Sequence, residues 1–142
     1  MFRVFILLLL STSPALAWEA RSGIICELAY EGEQGSISAT YDPAIREYSI
    51  AIAPEQPWSP GSVFVMRFEG AQANTITTDR HELSADGSTL TVTDRGFGNV
   101  LNGLEFNTTA TVLLADRAIS VPLAGAGPAV RDFRTCATSL AV

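Results

Sequence analysis

Glu47-Tyr48-Ser49-Ile50-Ala51-Ile52-Ala53 decides the fold class of this chain. Tyr48, Ile50 and Ile52 recur every second residue between small or polar neighbours, which is the period of a strand that buries one face. Pro54, Pro57 and Pro60 follow at once. Proline cannot donate to a strand ladder, so they force an exposed loop around Trp58. Working outward, the same reading repeats. Upstream, Ser36 to Tyr41 alternates until Asp42-Pro43 breaks it, and Gly23 to Tyr30 is rich in apolar, β-forming residues. Downstream, Val63 to Phe68 reads as a strand. Asn74 to Leu83 and Ser88 to Asp94 flank Ala85-Asp86-Gly87, which reads as a hairpin turn. Thr109 to Ala115 and Ala118 to Leu123 make a last strand pair around Asp116-Arg117. Short strands punctuated by turns predict a mainly β fold.

Helical signals are few. Gly127-Pro128 followed by Val130, Phe133 and Ala137 predicts one short C-terminal helix, with proline at its first position and the apolar residues on one face. Asn99 to Leu104 reads as a single turn with Val100, Leu101 and Leu104 inward. The expected architecture is an antiparallel β-sandwich or partly open barrel with the C-terminal helix packed on it.

The N-terminus has the three parts of a secretory leader. Met1-Phe2-Arg3 is positive, Val4 to Leu10 is apolar, and Ser11 to Ala17 ends in Ala15-Leu16-Ala17. The apolar run is shorter than the roughly 20 residues a membrane helix needs. Residues 1–17 are therefore read as a signal peptide, and residues 18–142 as a single β-rich domain. No cysteine stands at the cut, which argues against a lipoprotein anchor. The expected location is periplasmic or secreted.

The whole chain carries a formal charge of −6, and losing Arg3 with the leader takes it to −7. All nine basic residues are arginine. An acidic chain without a basic stripe argues against nucleic acid and anionic lipid as partners. The arginines themselves suggest bidentate binding of carboxylates as an alternative to composition bias.

Cys26 and Cys136 are the only cysteines. Export would place both in an oxidising compartment, so a disulfide closing about 110 residues is expected, with two free buried thiols as the alternative. No C-x-x-C spacing marks a redox-active pair.

Thr-Asp-Arg occurs twice, at Thr78-Asp79-Arg80 and Thr93-Asp94-Arg95, on what read as two arms of one hairpin. Residues two apart share a strand face, so Asp79 and His81 should point the same way, with Asp94 opposite in one register. Two carboxylates and the single histidine offer a divalent-metal or acid–base site. A solvated face whose Arg–Asp pairs fix the strand ends is the reading preferred here. One histidine is too little for a zinc site. Neither Ser84 nor Ser88 stands in a G-x-S-x-G context.

Gly96-Phe97-Gly98 begins like a dinucleotide loop, but its third glycine would fall on Leu101. A P-loop is excluded because the chain has no lysine. The glycines are read instead as a tight turn, with Phe97, Val100 and Leu104 plugging the core. Asn99, Asn102 and Asn107 could line a polar patch beside it. Asn107-Thr108-Thr109 matches a glycosylation sequon and is read as chance. Trp58 is either a contact residue or a cover over one end of the core.

Tyr41-Asp42-Pro43, Thr78 to Ser84 and Asp94 to Leu104 resemble small exported proteins of alphaproteobacteria. Pro122-Leu123-Ala124-Gly125 through Phe133 to Cys136 is similar to the C-terminus of invasion-associated locus B-like proteins. The resemblance implies export and no particular reaction. The expectation is a non-enzymatic binding protein for a protein or envelope component, with no cofactor. Trp58, Asp79, His81, Asp94, Arg95, Asn99 and Asn102 are the candidate contacts. The alternative is a small hydrolase or metal-binding protein using Asp79, His81 and Asp94.

Overall fold

The computed structural model describes residues 17–140. The leader expected at the N-terminus lies outside them, apart from Ala17. Among the described residues are ten strands and two helices. In chain order they are β1 (Trp18–Ser22), β2 (Cys26–Gly32), β3 (Gly35–Asp42), β4 (Glu47–Pro54), β5 (Phe64–Gly70), β6 (Asn74–Thr78), β7 (Glu82–Leu83), β8 (Leu90–Asp94), α1 (Gly98–Phe106), β9 (Asn107–Leu114), β10 (Arg117–Pro122) and α2 (Ala126–Leu140).

The strands form two antiparallel sheets and no closed barrel, the arrangement of a β-sandwich. One sheet runs β1-β2-β3-β4-β8-β7 and the other β10-β9-β5-β6. The alternation read in the sequence is the burial pattern. Leu28, Ile37, Ala39, Ile50 and Ile52 face inward from the first sheet, and Phe64, Met66, Phe68, Val112 and Leu114 from the second. These residues form one continuous core with the inner stripes of both helices. Each fully buried large side chain contributes about 1.5–3 kcal/mol.

The Cys26–Cys136 disulfide is formed, with Cα atoms 5.9 Å apart. It ties α2 to the first residue of β2. Helix α2 starts at Ala126, so Pro128 lies inside its first turn, where a missing N–H costs little. Its buried stripe includes Val130, Phe133, Cys136 and Ala137. Asn99 to Leu104 is more than one turn and belongs to the nine-residue α1. A Cβ at Gly103 would clash with the Phe68 ring, so glycine lets α1 lie directly on β5.

Three sequence expectations need correction. Gly23 to Tyr30 is not one strand: Ser22 pairs with Cys26, and Ile24 and Ile25 sit exposed in the hairpin loop. Exposed apolar residues are ordinary, and pairing geometry overrode composition there. The last hairpin turns at Ala115-Asp116, because Leu114 pairs with Arg117. Most important, Asn74 to Leu83 is not one arm of a hairpin. β6 pairs with β5 in the second sheet, whereas β7 pairs with β8 in the first. Residues 79–81 carry the chain between the sheets, so period-two reasoning does not apply to them.

The two long sides of the sandwich differ. On one, Trp18 of β1 donates its indole N–H to the Pro122 carbonyl of β10 (3.1 Å), and the Ser120 amide donates to Gln34 Oε1 (2.8 Å). Side chains thus cover the edge of β10. On the other, a groove separates β6 from β8, and residues 79–81 cross from one sheet to the other.

Candidate functional site

The open side is built around Gly96-Phe97-Gly98. β8 ends at Asp94, and Phe97 precedes the first helical residue of α1 with its ring buried in the core. Phe97 stacks on Tyr48, ring centroids 5.5 Å apart, which fixes where α1 begins. No side chain caps this helix start. Its first amide groups are therefore free for solvent or a ligand.

On one flank of Phe97 lies a groove of about 380 Å³ between β6 and β8. Ile76, Val92 and Val100 give it apolar walls, and Thr78, Arg80, Asp94 and Asn99 give it polar ones. Arg80 Nη2 donates to Asp94 Oδ2 at 3.0 Å across its mouth. Both partners face solvent, which screens the pair, so it orients Arg80 and Asp94 more than it stabilises the fold. The Arg95 amide donates to Asp94 Oδ1 at 2.7 Å. That bond, aided by Arg80, holds the Asp94 carboxyl below the usual carboxylate range.

On the other flank is a cavity of about 350 Å³ whose polar lining includes Tyr48, Arg95, Arg134 and Thr138. Arg134 Nη2 donates to Asn102 Oδ1 at 2.6 Å and lies 3.8 Å from Glu105 Oε2. The Glu105 side chain is only 7% exposed and also approaches Arg131, at 4.0 Å. Burial pushes the Tyr48 phenol up, and Tyr41 adds to that while Arg134 opposes it.

The candidate residues therefore fall into separate places. Asp94, Arg95 and Asn99 surround the Gly96-Phe97-Gly98 turn, and Asn102 positions Arg134 behind it. Asp79 is exposed at the bend. His81 turns away from both carboxylates: its Nε2 meets the Gly61 carbonyl at 2.8 Å, and its ring packs on Phe64. The two Thr-Asp-Arg copies do meet, but as Arg80 with Asp94 rather than as two aligned aspartates. Among the described residues, no three His, Cys, Asp or Glu side chains gather as a metal site.

Trp58 is not an exposed contact. It is 4% exposed, and its indole N–H donates to the Ile52 carbonyl at 3.1 Å. Its amide also donates to the Gly87 carbonyl at 2.8 Å, which clamps the proline loop onto the β7–β8 hairpin. Asn107 leaves the expected polar patch as well. It is buried, accepts from the Gln72 amide, and donates to the Gln72 and Gly103 carbonyls. It joins the β5–β6 turn to the end of α1.

Sequence reasoning missed Tyr48, Arg80, Glu105 and Arg134 as parts of this region. Arg131 and Arg134 stand three apart on α2, a spacing that places both on one side of the helix. That spacing was the available signal for Arg134. No protein family, curated protein or solved structure matches the chain.

Proposed function

We propose that this chain is an exported, disulfide-closed β-sandwich that works as a non-enzymatic binding protein for a protein or envelope component. The observation that carries the reading is the asymmetry of the sandwich. One long side is closed by Trp18 and Gln34, and the other leaves a groove with apolar walls and a polar rim of Arg80, Asp94 and Asn99. An apolar floor with a polar rim is the ordinary anatomy of a docking surface. Export is supported by the leader pattern of residues 1–17, which ends in Ala15-Leu16-Ala17. The disulfide agrees with an oxidising compartment.

The test compares two immobilised proteins in capture from the envelope fraction of the source cell. Wild type should retain a component that Asn99→Trp, which fills the groove from an exposed position, does not. An identical captured set for both would refute the groove as the docking surface. Intact-mass analysis of exported protein should give a chain beginning at Trp18. Retention of Met1 to Ala17 would count against export by cleavage.

A further inference from the structure

The second flank of Phe97 has its own chemistry. Arg95 is exposed and makes no ion pair among the described residues. Arg134 is held in place by Asn102, and the single Glu105 carboxylate is shared between Arg131 and Arg134. The neighbouring Asp94 is engaged by Arg80. The cavity wall therefore carries a local cationic surplus on a chain whose overall charge is −6.

The remaining wall is of two kinds. The Tyr48 ring supplies the apolar side, with Phe97 and Leu101 almost wholly covered behind it. The Tyr48 and Thr138 hydroxyls supply neutral donors. Gly98 opens onto the cavity with free space where a Cβ would stand, so a ligand can approach the start of α1 closely.

We propose that this cavity binds a carboxylate carried on a small aromatic or aliphatic group. The guanidinium fork matches a planar carboxylate in two parallel hydrogen bonds. The apolar wall takes the group behind it. Two features favour a monoanion over a phosphate dianion. Only Arg95 is wholly uncommitted, and the apolar wall would face no partner on a bare inorganic ion. The cavity of about 350 Å³ lies within the size range of small-ligand pockets. This site shares Gly96, Phe97 and Gly98 with the groove, but it is probed through Arg95 and Thr138, which do not line the groove, so its failure would leave the docking reading untouched.

The experiment is calorimetric titration of the purified protein with benzoate, benzamide and inorganic phosphate in low-salt buffer. Benzoate should bind saturably. Benzamide, of the same shape without the charge, should bind at least about tenfold more weakly, and so should phosphate. Arg95→Gln should weaken benzoate by about tenfold or more while the melting temperature holds, since Arg95 is exposed. Thr138→Trp, which fills the cavity from the exposed side of α2, should abolish binding. No saturable benzoate binding to wild type would overturn the proposal. So would phosphate binding as tightly as benzoate, or unchanged benzoate affinity in both variants.

Discussion

The indole N–H of Trp18 donates to the carbonyl oxygen of Pro122 across 104 positions of sequence, joining the outer strand of one sheet to the outer strand of the other. Trp18 is 2% exposed and lies against Tyr30, with ring centroids 4.9 Å apart. Together with the Ser120 amide's bond to Gln34 Oε1, this contact closes one long side of the sandwich, while the opposite side keeps its groove.

Trp18→Ala should destabilise the protein by about 3–5 kcal/mol, the usual cost of deleting a buried large aromatic. Trp18→Phe keeps most of the burial and removes the hydrogen bond, so its cost should be nearer 1–2 kcal/mol. Urea denaturation of both variants checks this. Equal losses would mean that the hydrogen bond contributes nothing.

The disulfide closes a loop of 110 positions. On the chain-entropy account, its removal should lower stability by about 4–5 kcal/mol. Thiol titration of unfolded, non-reduced protein should detect no free thiol. Stability can then be compared with Cys26→Ser/Cys136→Ser. Two titratable thiols per chain would contradict the bridge.

His81→Ala should cost more than the half kilocalorie or so typical of a free surface position. It removes the packing on Phe64 and the hydrogen bond to the Gly61 carbonyl. A loss of about 1–2 kcal/mol is expected by chemical denaturation. Zinc titration should give the same trace for wild type and variant. Micromolar zinc binding that vanishes in His81→Ala would restore the metal reading of this histidine.

Asp86 should titrate at about 2, well below the ordinary 3.8. The Ser88 amide is the largest cause, followed by the Ser88 and Ser84 hydroxyls. A lowered folded value means that ionisation favours the folded state. That contribution is complete above the unfolded value and is lost as pH falls through about 2. Carboxyl chemical shifts followed by NMR across the acid range would report the midpoint. Ser84→Ala should move it up toward the ordinary value. An unperturbed midpoint in wild type would show that the β7–β8 turn does not hold these hydrogen bonds in solution.

The class of fold is legible in the chain alone, because the signal for a half-buried strand is local. Tyr48, Ile50 and Ile52 alternate whatever lies opposite them, and the same is true of β3 and β5. The chain alone also limits any disulfide to the pair Cys26 and Cys136, and the structure shows that bond formed where two free thiols were the alternative. Val130, Phe133 and Ala137 of α2 and Leu101 and Leu104 of α1 were legible for the same local reason, whereas Val100, expected inward, lines the groove and Gly103 is the buried residue in its place. Strand partnership is not legible in the same way. A period of two says which face of a strand is buried and nothing about which sheet the strand joins. No glycine or proline marks the bend at Asp79 to His81, so the chain changes sheets there without a signal. That change separates His81 from Asp94 and brings Arg80 to Asp94 instead. Trp58 and Asn107 follow the same rule. Their polar atoms are satisfied by backbone groups at Ile52, Gln72 and Gly103, and whether a Trp or Asn can be buried depends on such partners.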